Sequence, residues 1–173
     1  MDFYIRPPRV SDAEDINLIR RMPGTFETIL GLPSEPVENT IDFLSQADLA
    51  THHELAAAVR QENGTELVVA TAGLSFSSNP RLRHSASFGI MVRTDYQALG
   101  IGKALTAAVL DLADNWLMLK RVELTVFTDN EPAIHLYESF GFEREGLKRM
   151  AVIRQGRYAD EYLMARLRGG AEV

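Results

Sequence analysis

Residues 97–105, QALGIGKAL, place two glycines two positions apart, just before a run with helical spacing. Small residues let backbone N–H groups approach an anion closely. The start of a helix also leaves N–H groups unpaired and carries partial positive charge. A diphosphate therefore fits this stretch. The alternative is a loop in which Gly100 supplies a positive φ and Gly102 is merely tolerated, and the glycines alone do not decide between the two.

Two other glycine-rich phosphate motifs are excluded by the residues around this pair. A dinucleotide fingerprint needs a third glycine where Leu105 stands. A P-loop needs glycine in place of Gln97 and serine or threonine in place of Ala104. What remains is the pattern Q-x-x-G-x-G between a predicted strand and a predicted helix.

Composition excludes several classes of protein. The 173 residues are 46% hydrophobic, which predicts a single domain over residues 1–173 with a substantial core. The net charge of −6 disfavours nucleic acid as a partner. The absence of cysteine excludes a thiolate nucleophile, and no His, Asp and Glu spacing suggests a metal site. Without a signal-like leader or an 18-residue apolar run, we expect a cytoplasmic protein with no membrane partner.

The predicted elements place the glycine pair between a strand and a long helix. The segment SASFGIMVR predicts the strand, and a 3.6-residue period that includes Trp116 on the inward face predicts a helix to about Lys120. RVELTVF predicts a strand parallel to the first, because the intervening helix acts as a crossover. EPAIHLYESFG then predicts a short helix with Pro132 in its first turn and Gly141 at its end.

The flanking segments complete an α+β domain with a mixed sheet. Ser11, with Glu14 at capping-box spacing, is predicted to open a first helix, and Ser34 a second one with Val37, Ile41 and Leu44 on one side. The sequence ENG predicts a hairpin between two strands. A second hairpin is predicted at residues 155–156, Gln-Gly, near the C-terminal end.

The region from Ala86 to Phe142 resembles the GNAT superfamily of N-acetyltransferases. It combines Q-x-x-G-x-G after a strand, the strand ELTVF, and N-x-x-A-I-x-L-Y-x-x-x-G-F from Asn130 to Phe142. The segments DNWLMLKRVELTVFTDN and GRYADEYLMARL are similar to a bacterial subgroup that includes L-amino-acid N-acetyltransferases. The resemblance implies a mixed, mostly antiparallel sheet with a central splayed parallel strand pair, flanked by about four helices.

The resemblance also implies a site for acetyl-CoA as cosubstrate, without a metal. Main-chain amides of residues 98–103 would hold the pyrophosphate, and the backbone of residues 90–92 would pair with the pantetheine amides. Asn130 would bind the cofactor arm near the thioester, and Tyr137 would lie near its sulfur. The implied cofactor-binding residues are Ile90, Met91, Val92, Gln97, Ala98, Leu99, Gly100, Ile101, Gly102, Lys103, Asn130 and Tyr137.

Tyr137 is the candidate catalytic residue. Its hydroxyl can give a proton to the departing thiolate, while a backbone N–H on the cofactor-facing strand stabilises the oxyanion. The alternative role for Tyr137 is packing on an apolar helix face.

No carboxylate lies on the strand before the glycine loop, where some family members carry one. Ser85 and Ser87 are present instead, and serine is a poor base without an activating partner. We therefore expect no strong base beside the amine. Either a water chain passes the proton, with Ser87 or Glu27 as substrate-site residues, or the amine arrives neutral.

The sequence thus predicts an acetyl-CoA-dependent N-acetyltransferase that transfers acetyl directly to a primary amine. The predicted acceptor is the α-amine of a free amino acid or of a similar small molecule. Two alternatives stay open: acetylation of a protein N-terminus or lysine, and an acyl-CoA-binding sensor without turnover. Tyr158, Asp160 and Tyr162 alternate along one strand and would share a face, which would either border the acceptor site or pack in a homodimer.

Overall fold

The computed structural model describes residues 2–46 and 48–169. Its strands form one sheet of seven in the order β1-β2-β3-β4-β5-β7-β6. The strands are β1 (Phe3–Arg6), β2 (His52–Arg60), β3 (Glu66–Phe76), β4 (Ser85–Val92), β5 (Arg121–Phe127), β6 (Glu143–Arg154) and β7 (Arg157–Leu167). The α-helices are α1 (Ala13–Arg21), α2 (Val37–Ser45), α3 (Ile101–Asp111) and α4 (Glu131–Ser139).

The predicted fold class is confirmed: the sheet is mixed and mostly antiparallel. β1 with β2, β5 with β7, and β6 with β7 are antiparallel. The parallel pair is β4 with β5, whose register extends over three residue pairs, from Ser85 opposite Arg121 to Ser87 opposite Glu123. No helix among the described residues is long and apolar enough to cross a membrane.

The chain forms two compact units, Met1–Leu74 with Gly89–Leu110 and Ser75–Phe88 with Asp111–Val173. A core cluster of the first unit packs Ile16 and Ile19 of α1 against small and β-branched residues of β2 and β3. Fully burying a side chain of this size contributes about 1.5–3 kcal/mol. The single domain over residues 1–173 remains a prediction.

Neither predicted serine cap begins its helix. The first helix opens with a 3₁₀ turn, Val10–Asp12, in which the backbone N–H of Arg9 donates to Asp12 Oδ2 at 2.6 Å. Arg6 holds the same carboxylate through two hydrogen bonds of 2.7 and 2.9 Å, so Asp12, not Ser11, closes the turn.

The second helix begins at Val37, after Pro36 in an extended conformation, and not at Ser34. A proline that cannot donate a backbone hydrogen bond suits this position. The predicted apolar side of the helix is partly wrong, because Ile41 is exposed and Thr40 is buried.

In the second unit, the elements after β5 match their sequence signals. Asn130 is the N-cap of α4, since its side chain accepts a hydrogen bond from the N–H of Ala133. Pro132 lies in the first turn, and Gly141, with φ +83°, follows the helix end. Gln155 and Gly156 have φ values of 51° and 74°, as the tight turn between β6 and β7 requires.

The long predicted helix ends differently from the expectation. α3 stops at Asp111 and continues as a π-helical turn, Leu112–Trp116, closed by a hydrogen bond from Leu117 N–H to Leu112 O. A π-turn holds an extra residue per turn. The residues that follow are therefore rotated away from the side of the helix that a 3.6-residue period predicts for them. Trp116, predicted to point inward, is 77% exposed.

Candidate functional site

The loop between β4 and α3 has a backbone in which positive φ values alternate with negative ones. Ala98 has φ 58° and Gly100 has φ 82°, on either side of Leu99. The side chain of Gln97 closes the loop by donating from Nε2 to Val92 O at 3.1 Å. Such alternation turns successive N–H groups toward one concave side, which is the arrangement of an anion-binding nest.

The start of α3 adds further donors to this loop. The first hydrogen bond in the helix runs from Ala104 N–H to Gly100 O at 3.0 Å. The N–H groups of Ile101, Gly102 and Lys103 precede this bond and have no acceptor within the helix. The loop residues before them and the side chain of Lys103 are exposed. These residues fit a pyrophosphate such as that of acetyl-CoA, with only Gly100 requiring glycine for its backbone angle.

The end of β4 is tied to the N-terminal part of the first unit. Val92 O accepts hydrogen bonds from Gln97 Nε2 and from Thr25 Oγ1, the latter at 3.2 Å. A carbonyl oxygen has two lone pairs, so that of Val92 is fully used. A ligand amide therefore cannot donate to Val92 O, while the N–H of Val92 and the backbone of Ile90 and Met91 are not used in these two bonds; all three residues are half-buried.

Glu27 lies in a 3₁₀ turn, Phe26–Thr28, and has a structural partner. Its Oε2 accepts a hydrogen bond from the N–H of Gly24 at 2.7 Å. Thr94, after β4, donates from Oγ1 to Pro23 O at 2.7 Å. The turn that carries Glu27 is thus joined to the residues that follow the predicted cofactor strand.

Tyr137, Asn130 and Ser87 belong to the second unit. Tyr137 is 7% exposed and packs against the ring of Phe142, with centroids 5.9 Å apart. Burial raises the pKa of its hydroxyl to about 12, so the group stays protonated at working pH. The carbonyl oxygen of Asn130 is used in capping α4, which leaves its amide group for a ligand. Ser87 is exposed on β4, opposite Glu123.

The first unit also contains a cavity of about 260 Å³ that the sequence did not reveal. Its lining includes Glu54 of β2, the ion pair of Arg20 with Glu35, and Met91 of β4. Glu54 is a carboxylate that sequence reasoning missed. The strand HHELAAAV could have pointed to it, because Glu54 shares a face with His52 and comes shortly before a fully buried run.

Among residues 2–46 and 48–169, no group of three or more His, Asp or Glu side chains is arranged to hold a metal ion.

Comparison with known proteins gives matches of three kinds: a family model, related sequences and similar structures. A family model described as the acetyltransferase (GNAT) family matches residues 24–142. The L-amino acid N-acetyltransferase AaaT of Escherichia coli K12 is 34% identical over 167 residues, which cover 96% of this chain and 99% of AaaT. A GNAT-family acetyltransferase from Streptococcus pneumoniae superposes with a TM-score of 0.78 at 27% identity, covering 96% of this chain and 99% of that one.

A more distant structure was solved with a bound cofactor. The yncA protein of Salmonella typhimurium, determined with acetyl-CoA, superposes with a TM-score of 0.79 over 100% of this chain and 98% of its own. Its sequence identity is 18%, so the likeness concerns the fold.

Proposed function

Since this chain belongs to the GNAT family of acetyltransferases and is an acetyltransferase enzyme, we propose that it transfers acetyl from acetyl-CoA to the α-amine of a free amino acid. One observation carries the acceptor class: the similarity to an L-amino acid N-acetyltransferase extends over 96% of this chain and 99% of that relative. The match thus extends well beyond the cofactor motif.

The loop before α3 supports the use of acetyl-CoA. Residues 98–103 offer backbone N–H groups from an exposed loop and from the first turn of a helix. Each is a donor that a pyrophosphate oxygen can accept, and the helix start adds favourable partial charge. When bound, acetyl-CoA supplies the acyl group in the activated form of a thioester.

The proposal gives a role to each group of residues that the resemblance picked out. The amides of residues 98–103 bind the pyrophosphate, and the backbone of residues 90–92 binds the pantetheine arm. The amide group of Asn130 donates to the same arm. Tyr137 gives its proton to the departing sulfur, for which it must be protonated beforehand, and its raised pKa meets that condition. Acetyl passes directly to the amine, without an acetyl-enzyme.

The single domain over residues 1–173, the cytoplasmic location and the homodimer inferred from the sequence remain predictions.

A thiol-release assay tests the proposed function. Purified protein is given acetyl-CoA and, in separate reactions, each of the free amino acids, spermidine, and a peptide with a free N-terminus and a lysine. We expect release of CoA with at least one free amino acid and acetylation of its α-amine by mass spectrometry. Turnover of the peptide alone would replace the proposal with a protein acetyltransferase. Binding of acetyl-CoA in calorimetry without release on any amine would replace it with a sensor.

A further inference from the structure

The cavity of about 260 Å³ in the first unit lies among α1, α2, β2 and β4. Phe43, Leu44 and Met91 supply apolar walls, and Arg20, Glu35 and Glu54 supply charges. Pockets for drug-sized ligands measure roughly 300–1,000 Å³, so this one suits a single small metabolite. Met91 belongs to the stretch of β4 that is predicted to bind the arm of the coenzyme, within the same unit.

The charges of the cavity favour a cationic group. Glu35 Oε2 lies 3.3 Å from both Nε and Nη2 of Arg20, so these two charges largely neutralise each other. Glu54 has a side chain only 16% exposed, and His52 Nε2 lies 3.3 Å from its Oε2, which leaves Oε1 for a ligand. Removing a carboxylate from water is costly unless a donor or a cation approaches it. An ammonium group of a ligand would supply both the charge and the donors.

The position of Glu54 is set by its neighbours on both sides. His52 Nε2 lies 3.3 Å from Glu54 Oε2, and the ring of Phe43 packs edge-on against the imidazole at 4.8 Å. On β3, a Cβ at Gly73 would lie 2.5 Å from His53 O and 3.3 Å from Glu54 Cα. Glycine thus lets the two strands approach closely at the residue that carries the carboxylate.

We propose that this cavity is the acceptor site, and that Glu54 binds the ammonium group of an apolar amino acid there and removes its proton. The inference rests on the proposed function and deepens it. His52 is a positioning residue that orients the carboxylate. The carboxylate of the amino acid binds the guanidinium of Arg20, whose Nη1 is not needed for the contacts with Glu35. The apolar side chain of the substrate packs against Phe43 and Leu44.

The protons and electrons of the transfer balance as follows. The ammonium gives one proton to the carboxylate of Glu54, and the freed lone pair attacks the thioester carbonyl carbon. The C–N bond forms and the C–S bond breaks, and the electron pair of that bond leaves with sulfur. The second proton of the nitrogen ends on the sulfur, which leaves as the thiol of CoA. Glu54 then returns its proton to solvent, which restores the carboxylate.

The test compares Glu54→Gln with Glu38→Gln, which removes an exposed carboxylate from α2. The acceptor is the apolar amino acid that the wild-type enzyme uses best. We expect Glu54→Gln to lower kcat/KM for it by about 10²-fold, the usual effect of losing a general base. Glu38→Gln should leave kcat/KM unchanged, and both variants should keep the wild-type Kd for acetyl-CoA. Glu54→Gln with kcat/KM within twofold of wild type would overturn the inference.

A pH profile separates a base from a structural residue. Arg20 on α1, Glu35 before α2 and His52 on β2 are the charged or titratable groups around Glu54, while α2 and β4 line the cavity with neutral side chains. With two acceptors of different amine pKa, wild-type kcat/KM should show one shared ascending limb. In Glu54→Gln the limb should follow the pKa of each amine. Limbs that follow the amine already in wild type would overturn the role of Glu54.

Two further measurements keep the site testable if Glu54→Gln does not fold. Leu44→Phe should reduce the cavity and raise the acceptor KM at least tenfold, with an unchanged Kd for acetyl-CoA; an unchanged KM would place the acceptor elsewhere. The amide of the best amino acid, which lacks the carboxylate, should lose at least tenfold in kcat/KM, and equal use would remove Arg20 from the site. If the wild type acetylates no amino acid, the proposed function fails. If it does so independently of these residues, only this inference fails.

Discussion

The ring of Phe88 meets the ring of Tyr137 nearly perpendicularly, with an interplanar angle of 83° and centroids 6.1 Å apart. Edge-to-face pairs of this kind add about 0.5–1.5 kcal/mol to the effect of burial. The contact holds the tyrosine ring through its carbon atoms and does not use the hydroxyl. The ring position and the chemistry of the hydroxyl can therefore be changed independently.

Tyr137→Phe should keep the fold and lose catalysis. The substitution preserves the ring contacts with Phe88 and Phe142 but deletes the proton donor. We expect kcat to fall by roughly 10²-fold and the Kd for acetyl-CoA to stay unchanged. Steady-state thiol release and calorimetry provide the two measurements. A normal kcat would show that Tyr137 serves packing alone.

Gly102→Val should weaken the binding of acetyl-CoA. Gly102 lies inside α3, so its backbone conformation does not require glycine, whereas Gly100 with φ +82° does. The valine side chain would obstruct close approach of the pyrophosphate to the helix start. We expect at least a tenfold loss of affinity in calorimetry, or about 1.4 kcal/mol. Gly102→Ala is the smaller matched change and should lose less; equal, wild-type affinity in both variants would remove the pyrophosphate from this loop.

Gly73→Ala should destabilise the protein far more than Gly146→Ala. An added Cβ at Gly73 meets the backbone oxygen of His53 at 2.5 Å, so one strand must move. At Gly146, in β6, an added Cβ meets nothing within 4 Å. We expect a loss of about 1–3 kcal/mol in the free energy of unfolding at position 73, as for overpacked sites. Urea unfolding measures both variants, and equal midpoints would contradict the close approach of β2 and β3.

Asp114→Asn should lower the free energy of unfolding at neutral pH. In acid, the free energy of unfolding of the variant should then fall less steeply than that of wild type. Asp114 accepts two hydrogen bonds from Arg166, at 2.8 and 2.7 Å, and these lower the pKa of the carboxyl below 3.8. The unfolded chain therefore binds this proton first as pH falls. The stabilisation is fully present above pH 3.8 and is lost as pH drops through the folded pKa.

The expected cost of Asp114→Asn at pH 7 is about 1–3 kcal/mol, the range for a hydrogen-bonded charge at a half-buried site. Thermal unfolding followed by circular dichroism from pH 7 to pH 3 checks it. The difference between wild type and variant should be constant down to about pH 4 and then shrink. Glu62→Gln, at an exposed position between β2 and β3, is the control and should follow wild type throughout. A difference that grows in acid would contradict the assignment.

The sequence predicted correctly the helices, strands and turns whose ends are set by residues within or next to them. The start of α4 at Glu131 with Pro132 in its first turn, its end before Gly141 and the turn at Gln155 and Gly156 were all confirmed, because each depends on a backbone angle or cap that a neighbour in sequence supplies. The strand RVELTVF was likewise predicted with its observed bounds, Arg121–Phe127. These positions need no partner from elsewhere in the chain.

Features that depend on contacts between residues far apart in the sequence could not be predicted in the same way. Asp12 closes the first turn because Arg6 and the N–H of Arg9 converge on its carboxylate, so the capping-box spacing of Ser11 with Glu14 was outweighed. The missing carboxylate on β4 suggested an enzyme without a strong base. The absence of a strong base stays a prediction; the base that we propose, Glu54, lies on β2 in a cavity that α1 and α2 also line.

The position of the π-turn determines how the unfolding of this protein should be observed. The sequence has one tryptophan, Trp116, and its indole is 77% exposed at the end of that turn. An indole already in water changes its environment little when the chain unfolds, so intrinsic fluorescence would underreport the transition. The same exposure makes Trp116 a natural quenching reporter for the π-turn alone. Following it together with circular dichroism would show whether this turn melts with the sheet or before it.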